Sequence, residues 1–260
     1  MSAPRTTVMM PAYDSHATIR GSVESVLAQT VPDLELIVAD NASTPPIREA
    51  LEEVRDPRLR IVRKRFNTGT AGGRNAALRL ARAPLVSQLD SDDEWEPDYL
   101  ESVLPCFEDP GVGLTYTNTH IIGHPTGHDD YIGDPSVHPM YDFPKIAEQN
   151  PIPCPTATIR TAAARAVGGY ALWLWMTEDY HMYMKLARAG WRFAYVHRQL
   201  ARYRWPSPTS GMSGRKREQQ LWELAMYASF VARHPLTPGP RRQVRTRVRR
   251  ELPRWLHFGK

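Results

Sequence analysis

Short apolar runs alternate with helical patterns in the first part of the chain. Residues 6–13 (TTVMMPAY) and 34–40 (LELIVAD) are apolar, contain β-branched residues and end at polar positions, which is typical of buried strands. Between them Ile19, Val23 and Val26 recur at helical spacing. The pattern therefore predicts a strand, a helix and a second strand.

The same alternation continues to residue 90. It predicts helices over 47–54 and 71–82 and strands over 58–64 and 84–90. Such an order indicates a parallel sheet with right-handed crossovers, in which ligands bind beyond the carboxyl ends of the strands. Asp14, Asp40 and Asp90 all fall at the ends of predicted strands, so we expect three acidic residues at one edge of the sheet.

The second half is less regular. We predict helices over 98–107, 161–170 and 177–190, and strands over 111–122 and 191–196. Residues 123–155 are rich in Gly, Pro, His and Asp without a period, and we interpret them as a long binding loop. From about residue 215 the pattern is helical and basic.

Composition narrows the class of protein. With 42% hydrophobic and 23% charged residues among 260, the chain has the balance of a soluble globular enzyme. The chain has two cysteines, Cys106 and Cys154, and neither lies near a histidine pair at metal-binding spacing, so we expect reduced structural thiols. It has no apolar run of transmembrane length and no signal-peptide pattern, and we therefore expect a cytoplasmic location.

The net charge of +5 comes from the end of the sequence. Residues 241–260 contain eight Lys or Arg and one Glu, whereas the other 240 residues contain 25 basic and 27 acidic side chains. Val244, Val248 and Leu252 share a helical face, followed by apolar residues among 255–258. We expect this segment to suit an anionic membrane surface, with packing on the domain or an oligomer contact as alternatives. Nucleic acid is not expected, because the rest of the chain is slightly acidic.

An acidic turn follows the strand predicted over 84–90. In VSQLDSDDEWEP (86–97), Asp90, Asp92, Asp93 and Glu94 stand close together. Carboxylates so spaced can share a Mn2+ or Mg2+ ion, which a nucleoside diphosphate leaving group requires. A solvated turn with a helix cap is the alternative. Repulsion at a buried sheet edge favours the cation.

Five segments together resemble family 2 glycosyltransferases of the GT-A fold, over about residues 5–205. They are MPAYDSHATIRGSVESVLAQT, LELIVADNAS, NTGTAGGRNAAL, SQLDSDDEWEPDYL and VGGYALWLWMTEDYHMYMKLARAG. The resemblance implies an α/β fold with a Rossmann-like, mostly parallel central sheet flanked by helices. We predict a GT-A domain over 1–214 and a basic C-terminal helical extension over 215–260.

The resemblance also implies a donor site. Its nucleotide-sugar contacts would be Pro11, Ala12, Tyr13, Asp40, Arg74, Asp90 and Ser91. Tyr13 would stack on the base, Asp40 would accept a hydrogen bond from it, and Arg74 would lie near base and phosphates. A core tyrosine, a turn aspartate and a surface arginine are the alternatives.

The metal and the catalytic base follow from the same resemblance. Asp92 would be the direct metal ligand, Asp90 would contact both ribose and metal, and Asp93 would support them or cap a helix. Asp179 would deprotonate the acceptor hydroxyl, with Glu178 as the alternate. Simple stabilisation of a helix N-terminus is the alternative reading of this acidic pair.

The hydrophobic stretch before the acidic pair offers candidates for the acceptor. We expect Trp173 and Trp175 to offer flat surfaces to a sugar or lipid, although core packing is the alternative for one of them.

Two departures from the family pattern stand out. Asn41, Ala42 and Ser43 replace Asp-Gly-Ser, and Pro206 occupies the position of a usual histidine. We expect nearby basic residues to neutralise the diphosphate instead, and residues 206–214 to close over the donor. The candidates are Arg202, Arg204, Arg215 and Lys216.

The resulting hypothesis is an inverting glycosyltransferase with a UDP-linked donor, acting on a sugar, a lipid-linked or a small-molecule acceptor. Its place would be the cytoplasm or, peripherally, the inner face of the membrane. One alternative is a nucleotidyltransferase of similar fold, although residues 10–17 (MPAYDSHA) lack its glycine-rich phosphate loop. Another is a non-catalytic protein that binds membrane or nucleic acid.

Overall fold

A computed structural model describes residues 3–124, 126–132, 143–205, 216–233, 242, 244–246 and 248–249. Its strands are β1 (Thr6–Ala12), β2 (Leu34–Asp40), β3 (Leu59–Arg63), β4 (Leu85–Gln88), β5 (Glu94–Trp95), β6 (Val112–Ile122), β7 (Thr158–Arg160) and β8 (Arg192–Arg204). Its helices are α1 (Ile19–Leu27), α2 (Ile47–Ala50), α3 (Gly69–Leu80), α4 (Tyr99–Val103), α5 (Phe143–Glu148), α6 (Thr161–Ala166), α7 (Glu178–Arg188) and α8 (Lys216–Arg233). Short 3-10 helices lie at Leu104–Glu108 and Cys154–Thr156.

The strands form one sheet in the order β3-β2-β1-β4-β7-β6-β8-β5. Strands β1 to β4 pair in parallel, as do β6 and β8, whereas β7 runs antiparallel between β4 and β6. Strand β5 adds an antiparallel edge to β8. The predicted mostly parallel α/β sheet flanked by helices is confirmed.

The sheet is buried on both faces because its central strands are apolar at successive positions. Every residue of β1 and β2 is buried, as expected where helices cover both sides. Side chains alternate between the faces. Met9 packs in the core beneath α6 to α8, whereas Val8 and Met10 pack in the core beneath α1 and α4.

Several predicted boundaries differ in the structure. Strand β8 extends to Arg204 rather than ending at 196, and β5 and β7 were not expected. The segment 123–155 contains helix α5 among its described residues and is therefore not wholly irregular. Strands β5 and β7 and the end of β8 are held by pairing with distant strands, which local periodicity does not report.

The C-terminal region shares the main core. Helix α8 buries Met226, Tyr227 and Phe230 in the same cluster as α7, and Val244 is 1% exposed there. The domain boundary at 214/215 stays a prediction.

Val248 packs against the same cluster, so this part of the apolar face contacts protein and is not free for lipid. Leu252 and residues 255–258 lie outside the described residues. None of the helices in the described part of the chain has the length and hydropathy to cross a membrane.

Candidate active site

The ends of β1 and β2 are joined at the carboxyl edge of the sheet. The Asp14 N–H donates to Ser43 Oγ at 3.0 Å, and Asp14 Oδ1 accepts the Thr44 N–H at 2.9 Å. Pro11 and Ala12 are buried at the end of β1. The Tyr13 side chain, in contrast, is 53% exposed, so it is not the core aromatic that was the alternative. Its ring is available for stacking beside this joined edge.

Close packing of α3 explains the glycine directly before Arg74. A Cβ added at Gly73 would lie 2.7 Å from the Pro11 Cβ, which is closer than real contacts allow. Glycine at this position lets the start of α3 approach the end of β1 directly.

Asp40 at the end of β2 has protein partners for both carboxylate oxygens. It accepts the N–H groups of Ser43 at 2.9 Å and Ile47 at 3.3 Å, and it pairs with Arg63 at 3.1 Å. The residue is 1% exposed. Its carboxylate therefore holds the loop that follows β2, and a contact with a nucleotide base stays a prediction.

The acidic turn begins two residues after β4. Asp90 has a side chain that is 27% exposed, Asp92 is exposed, and Ser91 and Asp93 are buried. The Ser91 carbonyl accepts the Thr18 hydroxyl at 2.8 Å, which ties the turn to the start of α1. The turn therefore presents Asp90 and Asp92 on its open side.

Like charges are crowded in this turn. Surrounding protein and the neighbouring Asp90 carboxylate raise the pKa of Asp92 to about 6, although its side chain reaches the surface. Burial, followed by repulsion from Asp92 and Asp90, raises the pKa of Asp93 well above its usual range. A bound cation would relieve this repulsion.

The end of β8 anchors the turn. The Arg204 N–H donates to Asp93 Oδ1 at 2.9 Å, and Arg204 Nε donates to the Asp92 carbonyl at 3.2 Å. Asp93 thus supports the turn and does not cap a helix. The Arg204 side chain remains 45% exposed beside Asp92. Arg202 is turned away to Glu96, with Nε at 2.8 Å from Oε1.

Arg74 joins the acidic turn to the start of α7. Its Nη2 donates to Asp90 Oδ1 at 2.6 Å, and its Nη1 pairs with Glu178. The side chain is 2% exposed, and Nη2 also lies 3.0 Å from Cys154 Sγ. Two carboxylates satisfy the guanidinium inside the protein, so Arg74 is not the surface arginine of the alternative. Its contact with base and phosphates stays a prediction.

The two acidic residues at the start of α7 differ in their burial and in their partners. Glu178 is buried, and it accepts from Thr70 as well as from Arg74. Asp179 is partly exposed, and its Oδ1 accepts the Tyr180 N–H at 2.7 Å. Burial raises the pKa of both carboxyls, although Arg74 acts in the opposite direction. Asp179 is therefore the more accessible proton acceptor.

The backbone before this pair is strained. Thr177 has φ of 63°, a left-handed conformation that is rare for a β-branched residue. Such strain costs on the order of 1 to 3 kcal/mol and is common at functional sites.

Arg74 and the carboxylates around it border one cleft of about 430 Å³. It brings together Asp90, Arg74, Glu178 and Asp179 from among the predicted residues. Tyr13, Asp40, Asp92 and Arg204 are not among its lining residues, and they lie at the adjoining edge of the sheet or on the acidic turn. Pro206, Arg215 and the segment 206–214 lie outside the described residues, as does the side chain of Lys216.

The tryptophan pair does not line the cleft. Trp173 lies against His181 and Arg233, and Trp175 lies over Gly69 at the start of α3. The aromatic residues at the cleft are instead the buried Tyr180 and the pair Tyr131 and Tyr203. The sequence did not distinguish them, because Tyr131 falls in the aperiodic segment and Tyr203 beyond the predicted end of β8.

Cys154 is a further residue of the cleft that sequence reasoning took as merely structural. Burial raises the pKa of its thiol well above the usual range, so the thiol stays neutral. No signal in the sequence placed it beside Arg74 and Asp179.

The acidic turn fits a divalent cation that is bound partly by the protein and partly by substrate phosphate. In the described part of the chain, no three His, Cys, Asp or Glu side chains are arranged to hold a metal ion. Mg2+ usually takes one or two carboxylates and completes its shell with water and substrate phosphate. Asp92 and the neighbouring Asp90, whose negative charge helps to raise the pKa of Asp92, supply two such carboxylates.

Residues 7–167 match the profile of glycosyl transferase family 2. The chain belongs to this family. In Escherichia coli, the UDP-Glc:alpha-D-GlcNAc-diphosphoundecaprenol beta-1,3-glucosyltransferase WfaP is 27% identical over 177 residues, covering 65% of this chain and 68% of WfaP. A second Escherichia coli enzyme with the same description, WfgD, is 34% identical over 118 residues, which cover 45% of this chain and 47% of WfgD.

Solved structures show the same fold. The structure of S. aureus TarS 1–349 in complex with UDP-GlcNAc aligns with a TM-score of 0.75 at 16% identity, over 96% of this chain and 73% of TarS. The mannosyltransferase PcManGT from Pyrobaculum calidifontis, in complex with GDP-Man and Mn2+, aligns with a TM-score of 0.68 at 21% identity, over 94% and 68%. The predicted GT-A fold is confirmed, and this chain is a glycosyltransferase.

Proposed function

We propose that this family 2 glycosyltransferase moves a sugar from a UDP-linked donor to an acceptor hydroxyl with inversion at the anomeric carbon. The observation that carries the proposal is the bridge made by Arg74. This one guanidinium pairs with Asp90 of the acidic turn and with Glu178 beside Asp179. A donor held at the turn would therefore expose its anomeric carbon to Asp179 across the same cleft.

The nucleotide would lie along the ends of β1 and β2. The exposed Tyr13 ring would stack on the base, and Pro11 and Ala12 would form the floor beneath it. Asp40 would hold the loop after β2 in position next to the base. A direct hydrogen bond from the base to Asp40 is its further predicted role. Ser91 would shape the turn next to the ribose.

Asp90 and Asp92 would hold Mn2+ or Mg2+, which supplies charge neutralisation for the diphosphate that leaves. The exposed Arg204 side chain, beside the Asp92 carbonyl, adds a second positive charge at this place. Asp93 would keep the turn in position from behind. PcManGT contains Mn2+ together with its donor, which supports the same arrangement here.

Asp179 would take the proton from the acceptor hydroxyl as it attacks. Its partly exposed carboxylate and raised pKa suit a general base, because burial increases the affinity of the carboxylate for a proton. Glu178 would hold Arg74 and stay out of the reaction. Attack from the side opposite the leaving group inverts the configuration, and no covalent intermediate is needed.

A panel of nucleotide sugars tests the donor and the metal together. We expect a UDP-sugar with Mn2+ to raise the melting temperature, because a ligand that binds only the folded state stabilises it. EDTA should abolish this shift, and Asp92→Asn should weaken it. Asp98→Asn, on the surface outside the cleft, is the matched control and should keep it.

Two results would contradict the donor proposal. One is a shift that is equal with and without a divalent cation, since the acidic turn would then serve another purpose. The other is release of pyrophosphate from a nucleoside triphosphate and sugar phosphate, which would establish a nucleotidyltransferase.

We also propose a lipid-linked acceptor reached at an anionic membrane surface. The name of WfaP specifies a diphosphoundecaprenol-linked acceptor, which supports this class. Arg242, Arg245 and Arg249 are exposed, whereas Val244 faces the core. The basic side of this segment would therefore attract anionic headgroups without inserting.

Sedimentation with vesicles checks this attraction. We expect binding to phosphatidylserine-containing vesicles at about 0.1 M salt and its loss at about 0.5 M, because salt screens exposed charges. Pure phosphatidylcholine vesicles should not bind. Binding that resists salt would instead indicate insertion and contradict the electrostatic contact.

A further inference from the structure

Part of the cleft is lined by residues that the proposed reaction does not use. We call this group the outer cleft. It consists of Tyr131, Gln149, Asn150, Tyr203, Gln219 and Glu223. Four separate parts of the chain contribute to it, and helix α8 contributes its last two members.

Two tyrosines give the outer cleft an aromatic surface. The ring centroids of Tyr131 and Tyr203 are 5.9 Å apart with an interplanar angle of 82°. Tyr131 is 41% exposed. Such an edge-to-face pair leaves a ring face open to the apolar C–H side of a pyranose, and its hydroxyls can bond to ring substituents.

Helix α8 is fixed relative to the catalytic helix. The hydroxyls of Tyr227 and Tyr180 lie 2.6 Å apart, and Tyr180 directly follows Asp179. Gln219, Glu223 and Tyr227 are spaced by four residues and so share one helix face, with about 6 Å between successive members. The buried Tyr227 thus sets the position of Glu223 one turn away and of Gln219 two turns away.

Amide side chains complete the outer cleft. Gln149 and Asn150 follow α5, and each amide both donates and accepts hydrogen bonds. Sugar hydroxyls do the same, so amides match them well. A surface built from aromatic rings, amides and a carboxylate is suited to an uncharged sugar.

The charge of the described lining acts against an anionic acceptor. Among the described lining residues the ionisable acids are Asp90, Glu178, Asp179 and Glu223, whereas Arg74 is the basic one. Arg74 is already paired with Asp90 and Glu178. A carboxylate brought to this place would meet net negative charge at close range.

We propose that the outer cleft is the acceptor subsite and that it takes an uncharged sugar residue while rejecting uronic acids. This inference rests on the proposed glycosyltransferase function. Within it, Glu223 would accept a hydrogen bond from an acceptor hydroxyl and Gln219 would contact the sugar further out.

Matched pairs of glycosides test this specificity on the full chain. Methyl glucoside and methyl glucuronide differ only at C6, as do the corresponding galactoside and galacturonide. Binding of each is measured by saturation-transfer NMR in the presence of UDP and Mg2+. We expect each neutral glycoside to bind at least about tenfold more tightly than its uronide.

The variant Glu223→Gln removes one negative charge while keeping the shape. It should reduce the ratio of the neutral glycoside's affinity to the uronide's affinity about fivefold, which is the effect of one charge at contact distance in water. Glu218→Gln makes the same change on an exposed position of the same helix that does not line the cleft. This control should leave the preference unchanged.

The outcomes separate the two levels of the proposal. Uronides that bind as well as neutral glycosides, a preference that Glu223→Gln leaves unchanged, or no binding of either series would each overturn the assignment of the outer cleft. Hydrolysis of the nucleotide sugar needs no acceptor and is measured separately. Its absence with every donor would count against the proposed function itself, whatever the glycosides do.

Discussion

Replacing Asp179 with asparagine should lower kcat by about 100-fold to 10,000-fold while leaving donor affinity nearly unchanged. Asparagine keeps the size of the side chain but cannot accept the acceptor's proton. Asp179 borders the cleft, whereas Glu178 is buried against Arg74 and Thr70. Initial rates of sugar transfer, together with donor binding by calorimetry, check the two parts of this expectation.

The pH profile identifies the role of Asp179 more sharply. Burial raises its pKa above the ordinary aspartate value of about 3.9. Since a base must be unprotonated, kcat/KM should be full above this raised pKa and fall as the pH decreases through it. The residual activity of Asp179→Asn should lack this acidic limb.

The control for Asp179 is Asp109→Asn. Asp109 pairs with Arg192 at 2.6 Å, where β6 and β8 begin, and both side chains are exposed. This change should alter the rate by less than about twofold, since such pairs contribute little. An Asp179→Asn enzyme with near-normal kcat would exclude Asp179 as the base.

Arg74→Met should cause the second large effect, a loss of about 3 to 5 kcal/mol in the free energy of unfolding. Methionine fills most of the space but leaves Asp90 and Glu178 without their common counter-charge. Transfer activity should fall with it, because the turn and the start of α7 lose their link.

Urea unfolding at two pH values measures the Arg74 effect. Without Arg74, the pKa of Glu178 in the folded state should rise further above its unfolded value. The folded state then binds more protons, so the destabilisation should be largest at pH 8 and smaller at pH 5. Arg20→Met removes an exposed arginine that also pairs with two carboxylates, the exposed Glu24 at 2.9 Å and Glu53 at 2.7 Å. Its effect on the free energy of unfolding should be much smaller, because exposed pairs contribute little.

Arg74→Lys distinguishes a bridge from a simple positive charge. A lysine ammonium is a point charge and cannot reach two carboxylates in the fixed geometry of a guanidinium. It should restore part of the stability but little of the activity. Full recovery of both by lysine would contradict the bridging role.

Much of the fold could be predicted from local pattern. The apolar runs at 6–13, 34–40 and 84–90 are strands β1, β2 and β4, because a strand covered on both faces must be apolar at successive positions. The same pattern locates Asp90 at the carboxyl edge. It does not predict β7, whose three residues belong to the sheet only through pairing with β4 and β6.

The candidate site divides in the same way. The sequence and its family resemblance indicated the acidic turn and the acidic pair at the start of α7, since short motifs carry their chemistry with them. They did not indicate that the Arg74 guanidinium pairs with a carboxylate of the acidic turn and with one at the start of α7. Nor did they indicate that Tyr131 and Tyr203, rather than the tryptophans, border the cleft.

The sequence alone therefore determined the alternation of strands and helices, the fold class and the acidic groups beside the sheet, because each depends on neighbouring residues and on backbone geometry. Only the tertiary structure decided which of these groups face one another. Arg74 and Glu178 are 104 positions apart, and such distant contacts depend on how the strands are ordered and how α8 packs, which local periodicity does not encode.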